Sequence, residues 1–170
     1  MQVLTSISFV YVLPQDRIVA AINPGTPEAW SCWLTRRVVL MLLEKATEIL
    51  TKTSALIQRT PVESRAEIVA FDHDAAIAKT ANRMSLIPAE ALNASAAAAE
   101  LVDRVFITEQ KDNFRVEIRG VKGSAAAGVL RRVGFQRIMQ MLQEEVAKAG
   151  WLVEPQNLPA IMKTALKPVH

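Results

Sequence analysis

Phe114-Arg115-Val116-Glu117-Ile118-Arg119 alternates apolar and charged side chains, the period of a strand with one face on a core and the other in water. Phe114, Val116 and Ile118 fall on the inward face, and Arg115, Glu117 and Arg119 on the outward one. Immediately upstream, Gln110-Lys111-Asp112-Asn113 supplies turn residues, and Asp103-Arg104-Val105-Phe106-Ile107-Thr108 reads as a strand, so the two runs form a hairpin. Downstream, Gly120-Val121-Lys122-Gly123-Ser124 ends the strand. A helix is expected from about 125 to 148, stopped by Gly150, which makes 101–148 a hairpin-helix unit.

The N-terminal end has the same build. Ser6-Ile7-Ser8-Phe9-Val10-Tyr11-Val12 alternates, Pro14-Gln15-Asp16 turns, and Arg17-Ile18-Val19-Ala20-Ala21-Ile22 returns. Asn23-Pro24-Gly25 breaks the strand. Thr26-Pro27-Glu28 has the form of a helix start: a hydroxyl cap, proline at the first helical position, and an acid at the positive end of the dipole. A helix from 27 to about 52 is therefore expected, completing a first unit over 5–52. Its middle, Val38-Val39-Leu40-Met41-Leu42-Leu43, is apolar all round, which requires cover on more than one side, by the core or by a dimer partner.

Between the units, Thr60-Pro61-Val62-Glu63 forms a capping box at the head of a helix expected over 61–84. Residues 88–99 are alanine-rich and fit a short helix or a packed loop. The tail, 151–170, carries three prolines and reads as irregular around a short helix at 159–166. The fold class is α+β: two β-hairpin plus helix units with an intervening long helix, antiparallel sheet or sheets covered by helices, all in one domain over 1–150. At an offset of 96, Ile18, Ala20 and Ile22 fall on Phe114, Val116 and Ile118, but the pair Arg36-Arg37 meets Arg131-Arg132 only after a slip of one. Units of similar build are expected, without proof of common ancestry. In element order the chain is similar in outline to the dimeric heads of the DNA end-joining scaffold and centriole-assembly family, although no motif residue carries that likeness.

Length and composition agree with one folded domain. Of 170 residues, 51% are hydrophobic and 22% charged, enough apolar content for a core without staples. A single cysteine, Cys32, excludes an intramolecular disulfide and fits a reducing, cytoplasmic setting; no run is long enough to span a membrane. The net charge of +3 is compatible with nucleic acid but does not by itself point to it.

No catalytic residue, metal site or cofactor is expected. Asp72-His73-Asp74 has the residue types of a metal or acid-base cluster, but neighbours on a helix diverge by about 100°, and His73 lies on the apolar stripe with Val69 and Ile77. A core or interface histidine with a hydrogen-bonded ring is the simpler reading. The Gly120–Ser124 loop, with Lys122, could cradle an anion ahead of a helix, though it lacks the phosphate-loop pattern. Arg36, Arg37, Arg131 and Arg132 could join Lys122, Arg115, Arg119 and Arg137 in a basic stripe for phosphates, or cover a core edge with their stems. Trp30 and Trp33, one helical turn apart, are core residues or interface anchors, and Cys32 between them is a small buried hydrophobe. A non-catalytic protein-binding or assembly module, homodimeric, is the first functional expectation. The alternatives are a nucleic-acid-binding protein using the basic helix starts, and a small-molecule-binding protein or enzyme with a pocket near His73.

Overall fold

The structure, a computed structural model, describes residues 1–80, 95–111 and 113–151. The expectations for 81–84, for 88–94 and for the tail beyond Trp151 lie outside the described residues. Seven strands form one mixed sheet: β1 (Gln2–Val3), β2 (Ile7–Val12), β3 (Arg17–Ile22), β4 (Trp30–Leu34), β5 (Glu100–Gln110), β6 (Asn113–Gly120) and β7 (Ala125–Arg131). Among the described residues three helices of sixteen or seventeen residues accompany it: α1 (Arg36–Lys52), α3 (Arg65–Thr80) and α4 (Arg132–Lys148), with a single turn α2 (Ala55–Gln58) between the first two.

The α+β class holds, and both hairpins form, with Ile7 opposite Ile22 and Val116 opposite Ile107. Two expectations fail in the same way. Residues 27–34 and 125–131 do not begin helices; each contributes a third strand, so each unit is a three-stranded antiparallel meander followed by a helix. After Thr26-Pro27-Glu28 the chain extends again, and the true cap is Thr35, whose hydroxyl accepts the Val38 amide. Ala125 to Ala127 favours a helix by propensity, yet packing demands small residues in a strand there. A Cβ on Gly128 would stand 2.5 Å from the Leu4 carbonyl.

The sheet is also not purely antiparallel. Its order is β1-β7-β6-β5-β4-β3-β2, with parallel contacts where β4 meets β5 and where β1 meets β7. The two edges are joined by three residues. The Leu4 amide donates to Ala127 beside β1, and the Ser6 carbonyl accepts from Asn23 beside β3. The sheet thus curls into a half-barrel around its helices.

The two halves correspond closely. Arg36–Lys52 and Arg132–Lys148 are both seventeen residues long and begin 96 positions apart. Cys32 pairs with Glu100 in the parallel contact between halves, and the β1–β7 contact continues in the equivalent register. At this offset Arg36 falls on Arg132, although the two arginine pairs as wholes do not match. The core lies on the concave side, where Ile18, Ile22, Leu34, Phe114 and Ile118 meet Leu43, Leu50, Phe135 and Leu142. Phe114 stacks on Phe135 with centroids 4.7 Å apart.

Candidate functional site

Most of the polar groups that the sequence singles out are engaged in holding the fold. Arg36 donates to the Trp151 carbonyl at 3.0 Å. Arg132 donates to the Leu50 carbonyl at 2.7 Å, to the Thr53 hydroxyl at 2.8 Å, and to Asp72 at 3.3 Å. α1 and α4 therefore run antiparallel, and the arginine pairs sit at opposite ends of helices about 25 Å long. They do not combine into one stripe. Arg37 and Arg131 are exposed, and Arg119 stacks over Phe106 while pairing with Glu117.

The loop at Lys122 leads into β7, not into a helix. The Lys122 amide donates to the Glu100 carboxylate at 2.6 Å, and the Trp30 indole donates to the same carboxylate at 3.0 Å. The protein's own anion thus occupies this loop. Burial pushes the Glu100 carboxyl up, and the bonds from Ser124, the Lys122 amide and Trp30 outweigh it, so the net shift is downward. A Cβ on Gly120 would stand 2.2 Å from the Glu100 side chain, so glycine there makes room for the carboxylate.

Trp30 and Trp33 lie on β4, where odd and even positions face opposite sides, so they are not one helical turn apart. Cys32 is fully buried, and burial, reinforced by the charge of Glu100, pushes its thiol up to about 12. His73 is buried on α3, only 2% exposed. Its Nδ1 has no hydrogen-bond partner among the described residues. Burial lowers its pKa against the opposing pull of Asp74 and Asp72. Among the described residues no group of three His, Cys, Asp or Glu side chains is placed to hold a metal.

What the sequence did not indicate is a difference between the two open strand edges. β5 is registered against β4 only at Glu100 and Leu101, so among the described residues it is paired from Val102 to Gln110 on one side alone. The Gly120 amide points to Ser124, on the β7 side. Neighbouring β6 residues alternate sides, so Arg119, Glu117 and Arg115 bond Arg104, Phe106 and Thr108. Val105, Ile107 and Glu109 consequently turn their backbone amides and carbonyls to the open side.

β2 has an equivalent open edge, and there it is covered. The Tyr11 amide, counterpart of Ile107, donates to the buried Glu145 carboxylate of α4 at 2.7 Å. Trp151 packs its ring edge-on against Tyr11 and donates to Asp16 at 2.8 Å. In the first half, Ile49 and Ala55 stand where Glu145 and Trp151 would be. A groove of about 560 Å³ remains between α1 and β5, lined by Val38, Met41, Leu42, Val105 and Ile107, with Glu44, Lys45, Glu48, Asp103 and Arg104 at its rim. Met41 is 57% exposed on its wall.

No protein-family model, curated protein or solved structure matches this chain. The geometry alone therefore carries the functional reading.

Proposed function

We propose that this chain is a non-catalytic protein-binding module whose docking surface is the groove between α1 and the open edge of β5. The observation that carries the reading is the contrast between two equivalent edges. β2 has its Tyr11 amide bonded by Glu145, whereas β5 borders a groove walled by the half-buried Val38, Leu42, Val105 and Ile107 and the exposed Met41. An unpaired strand edge beside apolar surface is a template for another chain unless something blocks it. Arg132, Glu100 and Asn23 are engaged in internal hydrogen bonds, and His73 and Cys32 are buried, which further supports binding over catalysis.

The test is selection from a random decapeptide display library against the immobilised chain and against Met41→Glu, which puts a charge on the groove wall. This reading expects binders enriched on the parent and lost on the variant. Absence of enrichment, or binders indifferent to Met41→Glu, would sink it. The same chain is expected to leave the mobility of duplex DNA unchanged at low salt; a shift that salt reverses would favour the nucleic-acid reading instead.

Homodimerisation is a second reading, and a separate observation favours it. Of the outward positions of β2, β3 and β4, Val19 and Ala21 are buried and Val10, Val12, Ser31 and Trp33 half-buried; none carries charge except Arg17, while β5 and β6 present Arg104, Arg115, Glu117 and Arg119 on that side. A face whose one charge is Arg17, at the end of its strand, meets its own copy with little like-charge cost. Light scattering of the parent and of Val10→Glu tests it: a parental dimer that the variant splits supports this reading, and a parental monomer refutes it.

A further inference from the structure

Resting on the reading of the groove as a docking surface, we propose that its occupant is an extended peptide from another protein, taken up as an added strand on β5. Two features of the site select an extended chain. Val105, Ile107 and Glu109 offer backbone donors and acceptors at every second residue, spacing that only a strand can match. The five consecutive residues 103–107 all line the groove, as expected of a cleft running along a strand edge.

The far wall selects what the peptide carries. Met41, Val38 and Leu42 stand opposite the edge, so a strand bonded to β5 would turn alternate side chains onto an apolar surface. The rim carries both signs of charge, and Glu48 is already held by Lys45 and Lys52. The matching partner is therefore a segment with apolar residues at every second position and no strong net charge.

A second copy of this chain fits the same edge poorly. Paired strands lie about 4.8 Å apart, and α1 stands beside the β5 edge on the groove's other side. Two such edges meeting across a twofold axis would bring α1 against its own copy before the strands could bond. A single extended chain has no such obstruction.

The experiment uses the peptides enriched from the decapeptide library, resynthesised with blocked ends and titrated into the full chain labelled with 15N. The proposal expects apolar residues at alternate positions and shifts concentrated at the Val105 and Ile107 amides. Ile107→Pro removes a donor that points only to the open side, and weakens binding at least about tenfold. Should that variant fail to fold, Met41→Glu on the exposed helix wall is expected to give the same loss. Peptides with apolar residues at helical spacing, or shifts on α1 without β5, would overturn the strand proposal while leaving the groove as a binding surface. Peptides that bind elsewhere would overturn both. A concentration-dependent dimer protecting the β5 edge would replace the peptide with a second copy.

Discussion

Arg36 and Arg132 open their helices at equivalent places in the two halves, and each reaches the far end of the other's helix. Arg36 donates to the Trp151 carbonyl just past α4, and Arg132 to the Leu50 carbonyl and Thr53 hydroxyl at the end of α1. The Leu50 carbonyl is one of the last in α1, which lack intrahelical partners and carry the helix's negative end, so the Arg132 guanidinium satisfies both needs. The arginines that looked like a ligand site from the sequence are reciprocal clasps between the halves.

The two clasps are unequal. Arg132 has three acceptors and is largely covered, whereas Arg36 is exposed and has one. Arg132→Ala is expected to cost about 2–3 kcal/mol, and Arg36→Ala about 0.5–1 kcal/mol, in urea unfolding. Equal losses would show that the clasps do not work as described.

Asn23 holds the three-residue crossing between the sheet edges. Its Oδ1 accepts from the Thr5 amide, the Thr5 hydroxyl and the Ser6 amide, and its Nδ2 donates to the Val3 carbonyl at 2.6 Å. It is buried and sits at φ 48°, a left-handed conformation that asparagine tolerates better than most residues. Asn23→Ala leaves several of these groups without a partner and is expected to cost about 2–4 kcal/mol. A loss well under 1 kcal/mol in thermal or urea unfolding would mean that water replaces the side chain freely.

His73 gives the fold a dependence on pH. Its folded pKa lies below the ordinary value of 6.5, chiefly because it is buried. Above pH 6.5 both states hold the ring neutral, and stability from this group does not change with pH. As pH falls below that value the unfolded chain takes up the proton first, so stability declines toward the lower folded pKa. His73→Phe is expected to flatten this part of the profile and to retain the fold, because the ring is buried and its Nδ1 has no partner among the described residues. An unchanged acid slope in the variant would assign the effect to other groups.

The hairpins were legible because alternation is explicit at Ile7–Val12 and Phe114–Arg119, and the turns carry their usual residues. The third strand of each unit was not. Thr26-Pro27-Glu28 has the composition of a helix start, and Ala125-Ala126-Ala127 that of a helix interior. The propensity of each was overridden by the sheet that β4 and β7 complete. Alternation of Trp30, Cys32 and Leu34 on one face was the available signal. The groove could not be read at all, because it depends on how far β4 runs along β5 and on which residues of α1 oppose Tyr11's counterpart. Neither is local in sequence.

An open β5 edge in the free chain is read out by residue-resolved amide hydrogen exchange in dilute solution. The Val105 and Ile107 amides should exchange at least about tenfold faster than those of Phe106 and Thr108, while the Tyr11 amide, bonded to Glu145, stays protected. Uniform protection along 105–108 would mean that the edge is already covered, and would contradict the account.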